Sequence, residues 1–130
     1  MARRKVVGAI FQIIVLVALA SPAVAQSRQV FGYAGILGEW ELNADVTEKD
    51  SSGTKEYSGP LTMSHVGICT VDGPEERKGE IRLRISEARM QATILVDGVE
   101  CHYRGRLSDF FSGAMSCPDR PEVPLKLWVK

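Results

Sequence analysis

Short runs of alternating apolar and polar residues, broken by turn-forming residues roughly every ten positions, run through the chain from Ser27 onward. Side chains on a strand point alternately to opposite faces, so this pattern predicts strands with one buried and one wet side, and helical periodicity is lacking. The stretch 91–107 shows it best. Ala92-Thr93-Ile94-Leu95-Val96 and Val99-Glu100-Cys101-His102-Tyr103 flank Asp97-Gly98, a dipeptide that accepts the positive φ angles of a two-residue hairpin turn. In the second of these runs Val99, Cys101, Tyr103 and Leu107 share one face, and Glu100, His102, Arg104 and Arg106 share the other. Likewise Ile81, Leu83 and Ile85 point inward while Arg82 and Arg84 point out.

Extending the reading predicts strands over 36–44, 57–64, 66–71, 80–86, 90–96, 99–107, 113–117 and 125–129, with polar, turn-rich loops over 45–55, 72–79 and 118–124. The expected fold is all-β: a small antiparallel up-and-down β-barrel or sandwich of seven to eight short strands. Closing such a meander removes its exposed edges. Eight short strands can also be filled by their own side chains, which argues against a large cavity. Tyr57-x-Gly59-x-Leu61 and Tyr103-x-Gly105-x-Leu107 echo one another and predict two similar hairpins.

The start of the chain differs. A cationic Arg3-Arg4-Lys5 precedes an apolar stretch from Val6 to Ala20, then Ser21-Pro22 and the small residues Ala23-Val24-Ala25, which is the order of a secretory signal with cleavage expected after Ala25. About 15 apolar residues fall short of the roughly 20 that span a bilayer as a helix. The domain plan is therefore a signal peptide over 1–25, an N-terminal arm over 26–35 and a single β-barrel domain over 36–130. No transmembrane segment is expected in the mature chain, and its place is periplasmic or secreted.

Removing the signal alters the charge. The full chain has 16 basic and 16 acidic residues, and loss of Arg3, Arg4 and Lys5 leaves the mature part net acidic. Its charges are segregated, with acids concentrated from Glu39 to Glu76 and basic residues from Arg77 to Arg106. In a meander only the strand near Thr93 separates Arg82 and Arg84 from His102, Arg104 and Arg106. These five side chains make a candidate face for an anionic partner, with Glu80, Glu87 and Glu100 at hand as counter-charges. A net acidic, exported protein gives no reason to expect a nucleic-acid partner.

Cys69, Cys101 and Cys117 are bound for an oxidising compartment in which thiols pair. If Ser108-Asp109-Phe110 is a hairpin loop, Cys101 faces Cys117 within disulfide reach. Pairing of Cys69 with either one is the alternative, since a one-residue register shift spoils the alignment.

No residue pattern in the chain matches a catalytic or metal-binding motif. His102 and Cys101 point to opposite faces and cannot act as a dyad. His65 and Cys69 offer two donors where a tetrahedral metal site needs four, and both histidines read as surface residues. No nucleophile elbow, zinc-protease helix motif or phosphate loop occurs, so the chain is expected to be non-enzymatic, with no catalytic residues, metal or cofactor. Phe110 and Phe111 at a hairpin tip either expose apolar contacts or fold back onto the core.

The segment Ala34-Gly35-Ile36-Leu37-Gly38-Glu39-Trp40-Glu41-Leu42 resembles the Gly-x-Trp opening strand of the calycin superfamily, which includes lipocalins, avidins and small bacterial metalloprotease inhibitors. That resemblance implies an up-and-down barrel with Trp40 packed at its floor. The avidin pattern places asparagine two residues after this tryptophan, where this chain has Leu42, so biotin is not carried over. The inhibitor pattern has different cysteine positions. Together these readings predict a monomeric exported barrel that binds an envelope ligand or protein through its mouth, its loops or the arginine face. The alternatives are an inhibitor of an extracytoplasmic hydrolase using residues 26–33 as its arm, and a structural envelope protein.

Overall fold

The computed structural model describes residues 26–49, 54–66, 73 and 75–130. The expected signal peptide, Cys69 and all of the expected strand over 66–71 except Val66, which follows the end of β3, lie outside the described residues. Within them the chain is all-β: β1 (Ser27–Ala34), β2 (Trp40–Lys49), β3 (Lys55–His65), β4 (Glu75–Ser86), β5 (Arg89–Val96), β6 (Val99–Leu107), β7 (Phe111–Ser116) and β8 (Val123–Val129). Each strand pairs antiparallel with the next, and β8 returns to β1, so the sheet closes into a small up-and-down barrel.

The closure corrects one expectation. Residues 26–35 are no free arm, because Ser27 to Ala34 form the first strand and pair with both β2 and β8. The pattern was hard to read because Gly32 interrupts the apolar inward face of this strand. Gln29 and Lys130 exchange backbone hydrogen bonds in both directions where the first strand meets the last residues of the chain. The strand expected from 36 starts later, at Trp40, after a turn in which Gly35 and Gly38 take positive φ. At the same end of the barrel, the loop expected over 72–79 gives way to strand at Glu75, since Glu75 to Gly79 already pair with β3.

The inward positions follow the period of two. Val30, Leu42, Val46, Leu61, Ile81, Met90, Ile94, Tyr103, Leu125 and Leu127 are buried at 2 % exposure or less, and no charged side chain is buried among the described residues. Pro60 lacks the N–H a ladder needs, and pairing of β2 with β3 lapses between Ala44↔Leu61 and Thr47↔Ser58 without changing register. Asp97 and Gly98 both have positive φ, as the hairpin reading requires. Phe111 folds into the core, whereas Phe110 packs outside against Trp128, ring centroids 4.7 Å apart.

Tyr103, like Tyr57, is an ionisable side chain buried in the core. Its hydroxyl is buried without a hydrogen-bond partner among the described residues, and burial pushes its pKa up to about 12. Below pH ~10 the phenol is protonated folded or unfolded and contributes no pH dependence. Above that the unfolded chain loses the proton first. Stability should therefore fall, on the order of 2 kcal/mol, as pH climbs from about 10 to about 12. Tyr103→Phe is expected to remove this part of the alkaline loss while leaving neutral-pH stability equal or higher, because an unpartnered hydroxyl costs more buried than deleted. Thermal melts of both proteins at pH 7, 10 and 11.5 check this; a marked loss for the variant at pH 7 would contradict it.

Candidate functional site

Two regions of the barrel carry features that its folding does not require. The first is one end of the barrel, where the β1–β2, β5–β6 and β7–β8 connections, the end of β3 and the start of β4 lie. Below it, the side chains of the core fill the barrel. At the end itself the last inward-facing residues leave a pocket of about 350 Å³, with walls from Met63, Ile94, Val96, Met115 and Val123 and from Trp40. Trp40 is thus half-buried in the wall of a pocket and does not seal a floor. The edge of its indole meets the His65 ring at a centroid distance of 4.6 Å, and the Arg77 guanidinium lies over its ring at 5.5 Å. His65, expected on the surface, is therefore turned inward, because it shares the inward parity of Leu61 and Met63 on β3.

The rim of the pocket is polar. Arg77 reaches Glu75 at 3.0 Å and Asp97 at 3.6 Å, and Glu39 and Arg120 complete the edge. Glu39 also holds its own loop. Its carboxylate accepts from the Leu37 N–H at 3.0 Å, and its carbonyl accepts from the Val66 N–H at 2.7 Å, which ties the first connection to the end of β3. Cys101 and Cys117 form a disulfide that supplies part of the same wall. It extends the β6–β7 ladder by one row, beyond the His102↔Ser116 pair, as the hairpin alignment predicts.

The second region is the outside of β4, β5 and β6. As expected, β5 separates the two basic strands, and the registers place the side chains in rows: Arg82, Thr93, His102, Ser116; then Arg84, Gln91, Arg104, Ala114; then Ser86, Arg89, Arg106, Ser112, Lys126. The five expected residues do share one face. The counter-charges differ from expectation: Glu56 on β3 holds Arg84 at 2.7 Å, and of the three expected acids only Glu100 approaches, 4.0 Å from His102. Glu56 was missed because its strand is remote in sequence. Arg89, at the start of β5, belongs to the face as well, directly across from Arg106.

A third feature is closed on itself. On the outside of the β8–β1 seam Phe31 stacks on Trp128 at 5.2 Å and 7°, Tyr33 meets the same indole edge-on, and Lys126 and Lys130 lie over Phe110 and Phe31.

Among the described residues no group of three or more His, Cys, Asp or Glu side chains gathers in a way that holds a metal ion, and no helix is long and apolar enough to cross a membrane. Comparison with known proteins gives no matching family model and no curated protein similar in sequence.

Proposed function

We propose that this protein is an exported, non-enzymatic binding module of calycin-like character, and that the pocket at the β1–β2 end of its barrel takes a small apolar ligand. One observation carries the reading: the same barrel that is filled by side chains over most of its length leaves about 350 Å³ at one end, inside the range of small-molecule sites, with apolar walls and a polar rim. An occupant with an apolar body would lie against Met63, Ile94 and Met115, and its polar end would meet Arg77, Arg120, Glu39 or Asp97 at the rim. The signal-like segment over 1–25 and the disulfide both accord with life in an oxidising, extracytoplasmic compartment. The rival inhibitor reading loses its argument from a free arm, because residues 27–34 are a barrel strand.

The test is a fluorescence titration with N-phenyl-1-naphthylamine, a neutral apolar probe. Trp40 and Trp128 are the two tryptophans of the chain, so in Trp128→Phe the quenching of Trp40 reports on the pocket alone. Saturable one-to-one quenching is expected. Filling the pocket from its rim by Val99→Trp, at a residue 42 % exposed, should weaken binding about tenfold, the loss of roughly 1.4 kcal/mol of contact, with the melting temperature kept. The same weakening is read from the probe's own emission. No saturable binding, or binding indifferent to Val99→Trp, would refute the pocket as the site.

A further inference from the structure

The arginine face on β4, β5 and β6 is independent of the pocket, and we infer that it binds a linear anionic polysaccharide. The face costs the fold stability. Arg89 and Arg106 are direct cross-strand partners, and like charges placed opposite each other destabilise a sheet. Among the described residues Arg82, Arg89, Arg104 and Arg106 enter no salt bridge, whereas Arg84 is held by Glu56 and His102 lies 4.0 Å from Glu100. A solvated face with no partner gains nothing from this arrangement, whereas an anion that settles between the rows relieves it.

The geometry is regular. Outward neighbours on one strand lie about 7 Å apart, and strands on either side of β5 lie about 10 Å apart, so the cations form an evenly spaced array suited to evenly repeated anionic groups. Two shallow grooves run along this array. One, of about 340 Å³, is bordered by Lys49, Arg82, Arg84, His102 and Arg104 and by one acid, Glu56, which is engaged by Arg84. The other, of about 270 Å³, is bordered by Arg89, Gln91, Arg104, Arg106 and Ser112. Gln91 and Arg104 border both, so the two form one track.

The neutral residues of the rows decide among polyanions. Thr93, Gln91, Ser112 and Ser116 are hydrogen-bonding groups of the kind that meet sugar hydroxyls. The rows contain no large apolar residue to enter a bilayer and no aromatic or aliphatic centre of the kind a protein interface needs. They also lack the aromatic rings on which single-stranded bases stack; the aromatic cluster of Phe31, Tyr33, Phe110 and Trp128 lies on the β8–β1 seam, beyond Lys126 at the end of the third row.

The test is isothermal titration of the purified protein with a heparin dodecasaccharide at low and moderate salt. Saturable binding that weakens steeply with salt is expected, since exposed charges are screened. Arg104→Gln and Arg89→Gln should each weaken it at least fivefold, and Arg89→Gln should at the same time raise the melting temperature by relieving the Arg89–Arg106 repulsion. Arg28→Gln, on β1 across the barrel, removes the same charge and should change the affinity less than twofold. Absence of binding, or an equal loss in Arg28→Gln, overturns the proposal. So does tighter binding to phosphatidylglycerol vesicles or to a DNA duplex than to the oligosaccharide, which would assign the face to another class of partner.

Discussion

Replacing Cys101 and Cys117 together by serine is expected to lower the free energy of unfolding by about 3 kcal/mol, and the melting temperature by roughly 15 °C. The bridge spans 16 residues, and a closed loop of that size removes this much freedom from the unfolded chain. The native structure adds to the effect. Cys101 is 7 % exposed and belongs to the core, so a serine hydroxyl there is buried beside Ile94 and Met115 with little to bond. Loss of the bridge also frees the start of the β7–β8 connection, which borders the pocket. The double variant should therefore bind N-phenyl-1-naphthylamine more weakly at temperatures at which it is still folded. Paired thermal melts, with the wild type measured with and without reductant, check the stability. A shift of only a few degrees would mean that the β6–β7 ladder holds its register without the bridge.

Gly113→Ala is expected to destabilise by about 2–3 kcal/mol, although it adds a single methyl group. Gly113 pairs with Gly105 across β6 and β7, and the two strands approach so closely that a Cβ at position 113 would be driven into the carbonyl oxygen of Arg104 and lie 2.8 Å from the Cα of Gly105. Those atoms are backbone and cannot rotate away, so the strands must part. Gly105 is kept small for a different reason: the Tyr103 ring lies over it. Urea denaturation of Gly113→Ala beside Ala114→Gly, its exposed neighbour, separates the two causes. If Gly113→Ala costs no more than a few tenths of a kcal/mol, the close approach does not govern packing here.

Much of this was legible in the chain because antiparallel strands write their orientation into adjacent residues. Alternation over Val99–Leu107 and Glu80 to Ser86 shows which side chains enter the barrel, and Asp97-Gly98 fixes one hairpin register, from which the positions of Arg82, Arg84, His102, Arg104 and Arg106 on one face follow. The Cys101–Cys117 pair was legible for the same reason, through the register of a neighbouring hairpin. The echo between Tyr57-x-Gly59 and Tyr103-x-Gly105 was legible as well, but not its meaning. Both tyrosines are buried, yet Gly59 makes room for the Asp45 backbone and Gly105 for the Tyr103 ring.

What the linear order could not show depends on contacts between distant segments. Strand β1 carries a broken apolar pattern, and its place is determined by the two edges that it joins. The ion pair of Arg84 with Glu56 crosses from β4 to β3, and the direct opposition of Arg89 and Arg106 needs the β5–β6 register carried to the end of the strands. The pocket depended most on tertiary structure. Trp40, His65 and Arg77 come from three strands and share no pattern in sequence. Whether their side chains seal that end of the barrel or leave space beside Ile94 and Met115 is decided by how closed strands tilt and how side chains of given volume meet. Most strands, their faces and the pairing of adjacent hairpins were readable along the chain, because those are local and periodic. Closure through β1 and the pocket were settled only when the first and last strands met, because both rest on contacts between segments far apart in the chain.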